Sequence, residues 1–505
     1  MRRCNRHTLR CAAVLLLLSP VAVSQAQVIS PDLEDVLEDS DPGDKIAVIV
    51  TFVDKVDLTP FAASGLPKGL LRAELVSALK GQAAASQAAV EDLLDAPEVT
   101  KRRSLWATNG VALTAPPGAI EGLAHNPNIE SIRLDAILAA RDPNGGKASA
   151  TQWNLDTIRA PELWAMGHTG AGVVVANLDT GVDSLHQDLT ATWRGGSNSW
   201  LDPNGEHSTP YDADGHGTQT MGLMVGGSGD GSAIGVAPDA EWIAVKIFDD
   251  SGTATLSGIH QGFQWILDPD GDANTNDAAD VVNNSWDFRE LVNQCYTEFE
   301  PDIAVLRAAQ IATVFSAGNQ GPGKSTSVSP GNYSGAFAVG AIDSSISLGS
   351  FSSRGPSACD GSLYPEVVAP GVNVKSSDLT FGGAFPDSYA FVTGTSFSAP
   401  MVAGAMALLL SAHPDATVDD LERALAETAL DLGQPGADND YGFGFIDLVA
   451  AEAWLANPQL PLCTDLDSDT YFVEAVCGTA VDCDDMDGGI NPGACDIKKD
   501  GIDQD

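Results

Sequence analysis

The stretch Val392 to Ser411, VTGTSFSAPMVAGAMALLLS, constrains this chain more than any other. A tight Gly394-Thr395 turn leads into small and apolar residues, with Ala399, Ala403, Gly404, Ala405 and Ala407 set among Met401, Val402, Met406 and Leu408 to Leu410. A segment apolar on every face belongs to a buried helix, and its small side chains let neighbouring backbones approach closely. Pro400 is compatible with a helix that starts near Ser396, because the first four N–H groups of a helix have no partner inside it. That start puts the Ser396 hydroxyl at a helix N-terminus, where free N–H groups and the backbone dipole favour negative charge. Ser396 then reads either as an ordinary N-cap or as a nucleophile whose reaction creates an oxyanion. Residues elsewhere must decide between them.

The chain has 505 residues, which is too long for one ordinary domain. Residues 1–26 read as a secretory signal: a basic MRRCNRHTLR, a short apolar CAAVLLLLSPVAV, and small residues at the cleavage positions. No later run offers the roughly 18 continuous apolar residues of a membrane span, so an exported, soluble, monomeric protein without a membrane span is expected. Once Cys4 and Cys11 leave with the signal, six cysteines remain. An even number in an exported chain favours disulfides, and their distribution suggests Cys295–Cys359 plus two bridges among Cys463, Cys477, Cys483 and Cys495. The formal charge of −43 argues against nucleic acid and anionic membranes as partners.

Residues 27–140 alternate strand and helix patterns. Lys45 to Phe52, Trp106 to Thr114 and Ile129 to Leu134 read as strands, with helices over Gly69 to Leu94 and Pro117 to Ala124; this is a small ferredoxin-like α+β unit. Lys101-Arg102-Arg103 reads as a solvated strand edge, with docking on an acidic neighbour as the alternative. Residues 141–152 are a polar, Gly-rich linker. Residues 153–456 alternate buried strands with helices, the pattern of an α/β domain whose mostly parallel sheet is covered on both faces. A second linker, 457–462, leads to a small Asp/Cys-rich loop module, 463–505, of a size that needs bridges or metal to keep a shape.

Three further boxes stand beside Ser396. Asp179 ends the strand pattern of GVVVANL; His216 sits in DADGHGTQTMG; Asn319 ends TVFSAGNQG. Each alone is weak, since a histidine beside glycine is usually structural and an asparagine after a strand is usually a turn residue. Together they follow the chain order Asp, His, Ser of one known hydrolase constellation. With IGVAPDA, FSSRGP, VVAPGV and YGFGFID also present, the chain resembles the subtilases, the subtilisin-like serine proteases, over about Trp153 to Trp454.

The resemblance implies a subtilisin-like three-layer fold and a secreted serine endopeptidase acting on polypeptides without a catalytic cofactor. Ser396 would be the nucleophile and His216 its base. Asp179 would orient the imidazole, and the Asn319 amide with the Ser396 N–H would face the oxyanion. Ser251, Gly252 and Thr253, with Ser285 and Trp286, resemble the two backbone edges that grip substrate. Asp287 stands where the family usually has glycine; on so acidic a surface it reads as a solvent-facing carboxylate, and otherwise as a determinant for basic side chains. Residues 27–140 resemble the family's inhibitory propeptide, cut off by the enzyme itself within 139–152.

Other readings remain. Asp179-Thr180-Gly181 and Asp250-Ser251-Gly252 mimic aspartic proteases, and a silent shell acting as a cell-surface binding module would share the fold. Structural calcium has candidate ligands in Asp268 to Asp280, although the EF-hand pattern fails there. Asp188 resembles one ligand of the family's loop site, but the Gly227 to Ser232 loop is short. In the tail, Asp465, Asp467, Asp469, Asp482, Asp484, Asp485 and Asp487 offer hard oxygens suited to calcium, and the segment resembles the Asp/Cys-rich metal-binding repeats of bacterial secreted proteins.

Overall fold

The computed structural model describes residues 28–140, 153–381 and 388–457. The signal segment, the 141–152 linker and the 463–505 module, with its seven candidate metal-binding aspartates and four cysteines, lie outside the described residues.

The N-terminal unit contains β1 (Ile46–Phe52), α1 (Lys68–Ala88), β2 (Thr100–Leu105), β3 (Gly110–Ala115), α2 (Pro117–Ala124) and β4 (Ile129–Leu134). The sheet order is β2-β3-β1-β4, all antiparallel. Two details differ from the sequence reading. Trp106–Thr108 is a 3-10 turn, so the strand starts only at Gly110, and the basic segment Thr100–Leu105 is a strand of its own. The basic cluster lies on a sheet edge, as its charge suggested, but its extent as a separate strand was not readable, because an exposed edge strand carries no apolar alternation. In β1 the period-two pattern is satisfied on both sides. Val48, Val50 and Phe52 pack into the unit's own core with Ile120 and Ile132. Ile49 points the other way, joining Leu75 and Leu79 of α1 in a core shared with the following domain. β5 (Ile137–Ala139) then leaves this sheet.

The larger domain runs through β6 (Val174–Asp179), β7 (Trp200–Leu201), α3 (His216–Val225), β8 (Glu241–Lys246), β9 (Thr253–Thr255), α4 (Leu256–Leu267), β10 (Val281–Asn284), α5 (Glu300–Ala308), β11 (Ala312–Ser316), β12 (Phe337–Ile342), β13 (Val367–Pro370), β14 (Val372–Ser377), β15 (Tyr389–Thr393) and α6 (Thr395–Ala412). Seven strands form one parallel sheet in the order β13-β12-β11-β10-β6-β8-β7. Alternate residues feed opposite faces. Val175, Val281 and Val314 pack with α3 and α6, while Ala176, Val282 and Phe315 pack with α4 and α5. The result is a three-layer α/β domain.

α6 is the buried helix that its sequence requires, with every residue from Thr395 to Leu410 buried. Gly404 explains the small residues. A Cβ there would lie 2.8 Å from Val236 Cβ and 3.1 Å from the Met224 carbonyl, so only glycine lets α3 and its loop come this close. Among the described residues α6 is also the one helix long and apolar enough to cross a bilayer, but 89% of that window is buried inside the domain. The helix starts at Thr395, so Pro400 sits beyond the first turn rather than within it. Cys295 and Cys359 are bonded, as their positions suggested.

Candidate active site

Asp179 is the last residue of β6 and His216 the first of α3. The end of a parallel strand and the start of a helix therefore meet at the carboxyl edge of the sheet, where such folds gather reactive groups. His216 Nδ1 lies 2.8 Å from Asp179 Oδ1, and both residues are buried. Asp179 Oδ1 also accepts the Thr180 N–H at 2.7 Å, which fixes the carboxylate. α3 is held by Gly217 N–H donating to Thr180 Oγ1 at 2.9 Å and by Asn177 Nδ2 donating to the Gly217 carbonyl at 3.2 Å. Gly217 can be nothing larger, since a Cβ there would stand 2.1 Å from the Gly181 oxygen. Beside this pair, burial pushes the Asp214 carboxyl above its ordinary range.

The Phe397 ring lies 5.5 Å from the His216 ring, bringing the start of α6 to the imidazole. Ser396 is the second helical residue and is buried. Its Oγ donates to the Ser285 carbonyl over a long 3.4 Å. Its carbonyl shows how Pro400 is accommodated. Pro400 lacks the N–H that would bond four residues back, and the Ser285 hydroxyl donates to the Ser396 carbonyl instead, at 2.8 Å. Asn319 Oδ1 accepts from Thr395 N and Thr395 Oγ1 at 2.9 and 2.8 Å, and that network leaves the Asn319 NH₂ as the donor end.

With Nδ1–H donated to the carboxylate, the other imidazole nitrogen is the basic one. With Phe397 packed on the imidazole and Asn319 held on Thr395, the Ser396 hydroxyl and a side-chain amide donor share the helix end that faces this base, the kinds of group that acyl transfer uses. The two aspartic-protease look-alikes do not form a dyad. Asp250 pairs with His207 at 2.9 Å and with Lys246 at 3.2 Å, whereas Asp179 is committed to His216.

The edge expected at Ser251, Gly252 and Thr253 is occupied. β5 pairs antiparallel with β9, Ile137 against Thr255 and Ala139 against Thr253, and Ala140 N–H donates to the Gly252 carbonyl at 2.7 Å. The edge is therefore Gly252 to Thr255. Ser251 instead turns its hydroxyl onto Asp249 at 2.7 Å. On the second edge, Ser285 touches Ser396 as above, but the Trp286 side chain is core, 5.5 Å from the Phe299 ring and 6.2 Å from that of Phe315. Asp287 is not in water: it is 3% exposed. Sequence reasoning missed Arg289, whose Nη2 donates to the Ala139 carbonyl at 3.0 Å and also to that of Ala140. A rare basic residue in an acidic chain was the available signal.

The N-terminal unit grips the larger domain mainly through basic side chains. Arg72 reaches the Ala309 carbonyl and Asp280, both at 3.1 Å; Arg103 reaches the Pro203 carbonyl at 3.1 Å. Arg102 stays at home on Glu91 and Asp95, so the basic cluster divides between the two roles considered for it. Asp135 caps α4, accepting from Ser257 N at 2.9 Å and Ser257 Oγ at 2.6 Å. Arg133 donates to both oxygens of Glu298 at 2.8 Å. Glu298 also faces His260 Nε2 at 2.9 Å, and His260 Nδ1 faces Asp302 at 2.8 Å. Burial opposes charge on His260, but Asp302 and Glu298 outweigh it and raise its pKa to about 9. Burial likewise works against ionised Glu298, yet His260 and Arg133 bring its pKa down to about 2.

Two calcium candidates fall within the described residues. At Asp188, Tyr389 O–H donates to Oδ2 at 2.6 Å and Gly229 N–H to Oδ1, while the Lys375 ammonium sits on Asp230 and 4.5 Å from the Tyr389 ring centre. Protein donors thus satisfy that loop. The carboxylates of Asp268, Asp270 and Asp277 converge within 4.8 Å of one another, and Lys80 of the N-terminal unit supplies the cation there, bonding Asp268 and, at 2.8 Å, the Gly271 carbonyl.

Comparison with known proteins agrees with this geometry. The model of the subtilase family of peptidases matches residues 170–444. Bacillopeptidase F of Bacillus subtilis is 35% identical over 415 residues, covering 74% of this chain and 28% of that protein's own length. Subtilisin E of the same species is 31% identical over 371 residues, covering 73% of this chain and 87% of its own. An alkaline protease of Shouchella clausii is 34% identical over 342 residues, covering 66% and 77%.

Proposed function

The chain belongs to the subtilase family, and from that membership and the site geometry we propose that it is a secreted serine endopeptidase made as a self-processing zymogen. Ser396 attacks the scissile carbonyl while His216 takes its proton and later returns it to the leaving amine. Asp179 holds the imidazole in the required tautomer and stabilises its cation. The Asn319 amide and the Ser396 N–H receive the oxyanion; losing one such donor costs about 10²–10³ in turnover, a magnitude established on a subtilisin. No cofactor enters these steps. The observation that carries the reading is the buried 2.8 Å contact of Asp179 with His216 Nδ1, since a carboxylate committed to that nitrogen fixes the tautomer in which Nε2 is the basic one.

The N-terminal unit, residues 27–140 in the sequence reading, then serves as inhibitor. Its strand β5 lies on the edge that a substrate would use, with Arg289 and Gly252 on either side of Ala140. Maturation cuts within 139–152, and structural calcium, where present, is a stabiliser rather than a reactant. A fluorophosphonate probe tests the assignment. Wild-type protein should be labelled at Ser396 and show a new N-terminus within that interval; Ser396→Ala should take no label and stay uncut. Labelling at another residue, or processing that persists in Ser396→Ala, would refute it.

A further inference from the structure

Asp287 is a buried carboxylate that the mechanism above does not use. Its place follows from its neighbours. Trp286 and Phe288 both pack on the Phe299 ring, at 5.5 and 5.9 Å, and Asp287 sits between them in the segment that joins the end of β10 to the 3-10 turn starting at Arg289. Ser285 and Arg289, at the two ends of that segment, show what it meets. Ser285 Oγ donates to the Ser396 carbonyl at 2.8 Å, and Arg289 Nη2 donates to the carbonyls of Ala139 and Ala140 on the strand bound along β9. Asp287 lies between them in sequence, in the segment that links the contact with the Ser396 carbonyl to the contact with the strand on β9. It is 3% exposed.

A carboxylate at that depth stays ionised only with charge-assisted donors around it, and it discriminates strongly against a neutral side chain in the same place. We propose that Asp287 is a specificity-determining residue, which selects an arginine or lysine side chain on the acyl side of the scissile bond. The chain's own sequence is consistent, because Ala140 is followed by Arg141, inside the interval where maturation is expected. The strongly acidic protein adds a field that draws cationic peptides toward the cleft.

This inference rests on the protease reading, and the test separates the two. The processed enzyme is given matched peptide anilides that end in arginine or in its uncharged isostere citrulline. The kcat/KM ratio should favour arginine by on the order of 100-fold, fall toward one in Asp287→Asn, and be partly retained in Asp287→Glu. A ratio near one in the wild type, or an unchanged ratio in Asp287→Asn, overturns the proposal while fluorophosphonate labelling of Ser396 leaves the protease reading intact. Loss of labelling together with failure to cleave either peptide sinks both. If Asp287→Asn does not fold, the wild-type ratio alone decides.

Discussion

Removing the Arg133 side chain should loosen the N-terminal unit by an amount that the interface itself sets. Arg133 gives two 2.8 Å bonds to Glu298 and one of 2.9 Å to Thr51 Oγ1. Its side chain is 23% exposed, whereas that of Glu298 is 4% exposed. Breaking a buried pair by removing one partner costs about 3–5 kcal/mol. Two features reduce that here: partial exposure of the guanidinium, and the remaining contact of Glu298 with His260, whose raised pKa keeps it cationic at neutral pH. We therefore expect about 2–3 kcal/mol for Arg133→Met, a factor of about 30–150 in the opening equilibrium. The readout is hydrogen exchange at Ala140 N–H and Leu256 N–H, whose bonds to Gly252 and Ala136 cross the interface. A Ser396→Ala background keeps the chain uncut. Exchange should speed up by that factor, and a double-mutant cycle with Glu298→Gln should show coupling. A change below about threefold, or independent effects of the two substitutions, would refute the reasoning.

Three shorter predictions follow from other contacts. Asp179→Asn preserves the shape of the site but favours the wrong imidazole tautomer, so turnover should fall by about 10⁴ with KM little changed; peptide-anilide kinetics measure both. Ser285→Ala leaves the buried Ser396 carbonyl without its donor and should cost about 1–3 kcal/mol, seen as a lower Tm. Adding Pro400→Ala restores a helical N–H and should recover much of that loss, so a double variant no more stable than Ser285→Ala would count against the account. For His260 the folded pKa of about 9 lies above the ordinary 6.5. Its contribution is therefore complete below about pH 6.5 and disappears as pH rises through about 9, by up to about 3 kcal/mol. Urea unfolding of the Ser396→Ala chain between those pH values should lose stability that a His260→Gln variant does not.

The sequence by itself determined the layer architecture and picked out the four boxes proposed as the site. α6 was readable because a run apolar on every face has no stable place except inside. Asp179, His216, Asn319 and Ser396 were readable because each sits in a short motif whose glycines and strand pattern fix the local backbone, as at Gly217 against the Gly181 oxygen. Only the tertiary structure decided what side chains do across long sequence distances. It turned Trp286 into the aromatic core and Asp287 out of water, paired β5 with Gly252 to Thr255 rather than with Ser251, and joined the Ser285 hydroxyl to a carbonyl that Pro400 leaves without its helical donor. It also divided Arg102 from Arg103, one to its own unit and one across the interface. The physical reason is that periodicity and turn chemistry are local, whereas burial of a polar group is settled by whichever distant donor or charge the fold brings within reach.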